Sequence, residues 1–346
     1  ETTPIAVATP GRTLQEHRND AAFAALKEDG SVITWGSPSH GGDSSSVSNE
    51  LSSGVVQIFS AIHSFAALKE DGSVITWGYS LLGGDSSNVS DQLSSGVVQI
   101  FSTDYAFAAL KDDGSVVTWG HSDSGGDSTN VSTKLSSGVV NIVANQKAFA
   151  AVRNDGSVVT WGASHEDYGA DSSSIEDHLS SNITQVNSTM AAFAALDKNG
   201  SVFTWGPSYA GGEPSIHDSR TNSPGRSVSA QLSSGVTHLF SNNYAFAALK
   251  DDGSVVTWGY SSTGGDSSSV SNQLSSGVIQ IFSTNDAFAA LKEDGSVITW
   301  GASDFGGDSS SVSDQLQSGV SQIFSTGAAF AALKGDGSVI TWGNSD

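Results

Sequence analysis

The chain has 346 residues, with 14 Lys and Arg against 36 Asp and Glu, giving a formal charge of −22. A surface this acidic repels phosphate backbones, which excludes nucleic acid as a partner, and no run of 18 apolar residues exists to insert in a membrane. The absence of Cys excludes disulfides and thiolate metal sites, and the wealth of Gly, Ser, Ala and Val reads as a β-rich globular chain.

One unit repeats along the chain. Trp35, Trp77, Trp119, Trp161, Trp205, Trp258, Trp300 and Trp342 each sit in Gly-Ser-Val-x-Thr-Trp-Gly, most of them 42 residues apart. The first unit, 5–36, opens on Ile5-Ala6-Val7-Ala8, then carries an insertion at Pro10 to Ala21 with Arg12 and Arg18 before its hairpin. The next units span 55–78, 97–120, 139–162 and 183–206. A second insertion, Pro214 to Arg226, follows the fifth and brings Arg220 and Arg226. Units at 236–259, 278–301 and 320–343 complete the series, with polar linkers between units.

The third unit is typical. Val97-Val-Gln-Ile-Phe-Ser102 is β-branched and bounded by Gly and Ser, which predicts a strand. Ala106-Phe-Ala-Ala-Leu110 and Ser115-Val-Val-Thr-Trp119 flank Asp113-Gly114, a strong hairpin signal. We name the three strands A, B and C. Apolar or small residues at successive positions of B and C imply burial on both faces, as when sheets stack on sheets. Such units cannot stand alone, and radial stacking leaves only short edges. The expected fold is all-β: a closed, single-domain β-propeller over 1–346, with eight three-stranded blades and the first and last units adjacent. Seven blades and an open β-solenoid are the alternatives.

The segments Gly-Val-Val-Gln-Ile, Phe-Ala-Ala-Leu-Lys-Glu-Asp-Gly-Ser-Val-Ile-Thr-Trp-Gly and the following Gly-Gly resemble the repeats of the regulator of chromosome condensation family. In unit size they are most similar to its compact bacterial relatives of the β-lactamase inhibitor protein II type. The resemblance covers residues 22–343 and departs in places. Phe101-Ser102-Thr103 stands where the family has Ala-Ala-Gly, Phe107 where it has a His, and Gly83 to Ser87 where it has Gly-Gln-Leu-Gly. It implies a propeller that binds other proteins with one face. Nucleotide exchange and chromatin binding are not carried over.

The copies differ from one another in two slots. One follows Trp-Gly and holds Tyr79, Leu81, Leu82, His121, Tyr168, Tyr209, Tyr260 and Phe305; the other lies between strands A and B and holds Tyr105 and Tyr244. All six Tyr fall in these slots, as do His40, His63, His121 and His165. Chain direction puts both slots on the rim opposite the Asp-Gly turns, and both insertions, with Arg220 and Arg226, on the slot rim. Tyr and Arg on loops over a fixed scaffold are the usual anchors of protein recognition. The expected partner is therefore a protein, with a glycan as the alternative, and a secreted or cell-surface location is favoured.

A carboxylate also recurs after Gly-Gly or Gly-Ala, at Asp43, Asp85, Asp127, Asp171, Glu213, Asp266 and Asp308. One per repeat falls short of the six to eight oxygens that Ca²⁺ takes. Asp before Ser or Thr suits a side chain capping its own turn, so no metal is expected. His165-Glu166-Asp167 is a polar cluster without convergent geometry. No catalytic motif is present, and neither enzyme activity nor a cofactor is expected.

Overall fold

A computed structural model describes residues 19–163, 168–218 and 223–344. The expected strand at Ile5 to Ala8, together with Arg12, Arg18, His165 and Arg220, lies outside the described residues. The chain divides into two compact units, Leu14–Glu213 and a second that contains Pro214–Asp346.

In Leu14–Glu213, β1 (Ala22–Leu26) pairs with β2 (Val32–Gly36). Three-stranded sheets follow: β3 (Val55–Ser60), β4 (Ser64–Lys69) and β5 (Val74–Gly78); β6 (Val97–Ser102), β7 (Ala106–Lys111) and β8 (Val116–Gly120); β9 (Val139–Ala144), β10 (Ala148–Arg153) and β11 (Val158–Gly162); and β12 (Ile183–Ser188), β13 (Phe193–Asp197) and β14 (Val202–Trp205). The other unit opens with β15 (Ser215–Asp218) and β16 (Ser223–Ser227), then β17 (Val236–Ser241), β18 (Ala245–Lys250) and β19 (Val255–Tyr260), all in one sheet. Two more sheets are β20 (Val278–Ser283), β21 (Ala287–Lys292) and β22 (Val297–Gly301), and β23 (Val320–Ser325), β24 (Ala329–Lys334) and β25 (Val339–Gly343).

The chain is thus all-β, built of eight propeller-type blades, one for each Trp-Gly hairpin. Two blades differ from three strands among the described residues, the first because its expected strand A lies outside them. The first shows two strands among the described residues. The sixth has five, because the second insertion is not a loop. It folds into the β15–β16 hairpin, which joins β19 in parallel through Ile216–Gly259 and His217–Tyr260. A run of Ser, Pro and Gly reads as a loop because nothing local offers it a partner; the free edge of β19 supplies one.

Register follows the pattern of residues. In the third blade Phe107 faces Trp119 and Ala109 faces Val117, while Val97 and Gln99 bracket a one-residue bulge at Val98. The same bulge recurs in β3, β9, β12, β17, β20 and β23. It turns the second residue of each Val-Val pair outward, so Val97 is buried and Val98 exposed.

Blades pack face to face through one recurring interface. Ala66, Leu68 and Val74 of the second blade meet Phe107, Ala109, Val117 and Trp119 of the third, over Leu93, Val97 and Ile100. Small Ala pairs let the sheets approach, and the Phe–Trp stack fills the wider gap, its ring centroids 5.2 Å apart. The Trp119 indole N–H donates to the Gly83 carbonyl at 3.1 Å, in the preceding crossover, and Trp77, Trp161, Trp205, Trp300 and Trp342 repeat the bond. Crossovers are held tightly: a Cβ on Gly126 would lie 2.3 Å from the Gly120 carbonyl oxygen. At the Asp-Gly turns, Lys111 Nζ donates to the Gln92 carbonyl, tying hairpin to crossover.

A candidate recognition rim

Both variable slots lie at the same end of each blade, joined by one backbone hydrogen bond. The N–H of Tyr79 donates to His63, that of His121 to Tyr105, Ala163 to Lys147, Tyr260 to Tyr244 and Ala302 to Asp286. Asp113 and its counterparts close the hairpins at the far end of the strands.

A side-chain clamp fixes the rim. The first slot residue after strand A accepts from the start of strand B and donates to the second slot. Thr103 Oγ1 accepts from the Ala106 N–H at 3.1 Å and donates to the Ser124 carbonyl at 2.9 Å. Asn145 does so with Ala148 and Tyr168, Thr189 with Ala192 and Ala210, Asn242 with Ala245 and Thr263, and Thr284 with Ala287 and Phe305. Asn19 makes the same pair with Ala22 and His40. The second blade has Ala61 here, and Ser64 Oγ bonds the Leu82 carbonyl instead.

Neighbouring blades are also linked through this rim. Within Leu14–Glu213 the N–H of Asp20 donates to Ile62, Ile62 to Asp104, Asp104 to Gln146, and Gln146 to Met190, all at 2.9–3.2 Å. In the other unit Asn243 donates to Asn285 and Asn285 to Gly327. The variable side chains therefore ride on a backbone paired both within and between blades.

Two aromatic clusters sit on the rim, one in each unit. In Leu14–Glu213 the His40 and His63 rings stack at 4.3 Å, and Tyr105 lies 5.9 Å from His63. Burial lowers the His63 pKa, and the adjacent His40 lowers it further, while Asp20 acts against both. Lys147 Nζ lies over the Tyr168 ring at 4.6 Å. In the other unit Tyr260 lies 6.2 Å from Tyr244 and 5.9 Å from His217. Burial raises the Asp286 pKa on this rim.

The slot residues are presented differently. Tyr79 and Leu81 project most, at 43 % and 68 % exposed. Leu82, Tyr105, His121, Tyr168, Tyr209, Tyr244 and Tyr260 are half-buried, and Arg226 is exposed on β16. Phe305 instead packs against the cluster around Phe330 and Trp342, so much of its ring belongs to the core. The clusters centre on residues outside the sequence-derived set. His40 and His63 share its slots, and His217, buried on the inserted hairpin, carried no sequence signal because the hairpin itself was not foreseen.

Six of the seven recurring carboxylates cap their own turns. Oδ1 of Asp43, Asp85, Asp127, Asp171, Asp266 and Asp308 accepts the N–H two residues on. The Thr129 hydroxyl and N–H hold Asp127 below the usual carboxylate range. Among the described residues no three His, Asp or Glu side chains gather into a metal-binding group. A polar groove of about 610 Å³ runs between β8 and its crossovers, lined by Gln92, Lys111, Asp113, Thr118 and Asp127, and carries no such group.

No family model matches the chain, and no curated relative does. Similar solved structures include the crinkly WD40 ectodomain of the receptor kinase ACR4 from Arabidopsis thaliana, at 14 % identity over 81 % of this chain and 90 % of that one, with a TM-score of 0.38. Prp20p from Saccharomyces cerevisiae, described with its binding to Gsp1p and histones, is 15 % identical over 71 % and 72 %, with a TM-score of 0.40. The computationally designed Ika8 protein is 14 % identical over 95 % and 98 %, with a TM-score of 0.36. All three lie at 15 % identity or below, too distant to carry a function across.

Proposed function

We propose that the chain is a non-enzymatic recognition scaffold that binds a protein partner through its variable rim. The observation that carries this reading is the clamp. Thr103, Asn145, Thr189, Asn242 and Thr284 hold one backbone in blade after blade, while the side chains beside it change from Tyr to His to Lys to Leu. Diversity on a pre-ordered frame is the economical way to build a binding face, because little entropy is lost on docking. A glycan-binding propeller would be expected to repeat one site in each blade, and these slots do not repeat. Kinship with the regulator of chromosome condensation repeats, carried by the Asp-Gly-Ser-Val hairpin, is part of the same proposal and supports protein binding.

The test is affinity capture with immobilised chain, followed by substitution. Tyr79→Ala, Leu81→Ala and Tyr260→Ala should weaken retention of a captured protein, the strongest by about 2 kcal/mol. Lys111→Glu and Asp252→Lys at the opposite turns should leave it unchanged. A footprint on the Asp-Gly turns, or binding on a glycan array with no protein captured, would sink the proposal.

A further inference from the structure

The inserted hairpin shows what the edge of a blade can hold. β15 lies parallel to β19, pairing Ile216 with Gly259 and His217 with Tyr260. β8 has the sequence that opens β19, Val-Val-Thr-Trp-Gly, and stands at the edge of its sheet with no fourth strand. The two edges are built alike. The Val116 N–H donates to the Leu135 carbonyl, as that of Val255 does to Leu274. Thr118 Oγ1 bonds the Gly126 carbonyl and the Ser128 hydroxyl, and Thr257 repeats both bonds with Gly265 and Ser267. The main chain of β8 is only half used. Lys111 and His121 donate across the hairpin to Ser115 and Tyr105, and antiparallel pairs alternate between bonded and non-bonded, so Val116, Thr118 and Gly120 turn outward. Among the described residues Leu135 takes the Val116 N–H, and none takes those of Thr118 and Gly120.

The groove of about 610 Å³ runs along this edge, from Val89 and Gln92 of the preceding crossover to Ser115 and Thr118 of β8. In the sixth blade the hairpin leaves its crossover between Pro214 and Val228, which bond to each other, and Val228 precedes Leu232 by four residues as Val89 precedes Leu93. The groove thus spans the interval between the counterparts of the hairpin's root and of its paired edge. Its walls carry the carboxylates of Asp113 and Asp127, each held ionised by the Ser or Thr two residues on. The Lys111 ammonium is already engaged by the Gln92 carbonyl. We propose that this groove binds an extended, basic segment of a partner protein, which adds to β8 in parallel as β15 adds to β19. Main-chain bonds supply the affinity, and the two carboxylates select Lys or Arg side chains. The site does not depend on the role of the rim.

Amide hydrogen exchange of the full chain, with synthetic octapeptides as probes, tests the proposal. An alternating Thr-Lys peptide should slow exchange at Thr118 and Gly120 by about fivefold and leave Gly259 unchanged, because β15 already pairs it. An alternating Thr-Glu peptide and a fully N-methylated Thr-Lys peptide should slow neither. Asp113→Lys, on an exposed turn, should cut the protection at Thr118 and Gly120 by about threefold, with circular dichroism as the check on folding. Should that variant fail to fold, Asp127→Asn replaces it on the same wall. Thr118 and Gly120 amides that exchange as slowly as Gly259 without any peptide would overturn the proposal, because the chain's own residues would then hold the edge. So would a Thr-Lys peptide that protects neither amide, an N-methylated peptide that protects them equally, or protection unchanged in the folded variant.

Discussion

Trp119 shows how much rests on single side chains. It is buried, stacks on Phe107, and its indole N–H bonds the Gly83 carbonyl of the preceding crossover. Trp119→Ala opens a cavity between blades and leaves that carbonyl unpaired, at an expected cost of about 3–5 kcal/mol in urea unfolding. Asp127 lies at the other extreme. Its turn is exposed to solvent, so Asp127→Ala should cost below about 1 kcal/mol, and added Ca²⁺ should not shift the melting temperature of either chain. His63 makes stability respond to pH. Its folded pKa lies below the usual 6.5, held down by burial and by His40. The unfolded chain therefore binds the proton more readily. The contribution is complete above 6.5 and declines as pH falls from there toward the folded value. His63→Gln should flatten thermal melts over that window. The turn carboxylates, with pKa values below 3.8, act separately: their contribution holds above 3.8 and is lost as pH falls through the folded values.

At the scale of the element, the clamp and the crossover are where local rules bite. Asn242 is fully buried, and its removal strands the Ala245 N–H and the Thr263 carbonyl. Asn242→Ala should cost about 1–3 kcal/mol and loosen the Tyr244–Tyr260 rim, visible as faster amide exchange there. Gly126→Ala forces a methyl onto Gly120 and should cost about 1–3 kcal/mol, whereas Gly335→Asp should be nearly neutral, since a Cβ there meets nothing closer than 4.0 Å. Most elements could be read from the chain itself: the expected strand at Val97 to Ser102 spans those residues in the fold, and Ala106 to Leu110 lengthens by one. The β15–β16 hairpin could not, because its stability comes from β19, whose paired residues Gly259 and Tyr260 lie some forty residues on. Nor could the centre of the rim clusters, since stacking of His40 on His63 depends on how consecutive blades sit.

For the whole molecule, the charge of −22 sets the terms of encounter. A basic partner would be drawn to the chain by this field, and its association rate should fall steeply with added salt while dissociation changes little. Stopped-flow measurements across ionic strength would check this once a partner is in hand. The rim ladder has a further consequence, for how such a chain can change over generations. Backbone groups and repeated core residues make the bonds between blades, from Ile62 to Asp104 to Gln146, so the junctions barely depend on which copies meet. Excising residues 97–138 would splice Gly96 to Val139 with the Gly-Val junction intact. The copies are interchangeable parts: unequal crossing-over between their near-identical coding segments could drop, duplicate or reorder blades while each junction still fits, reshuffling the Tyr, His and Lys of the rim in a single genetic event.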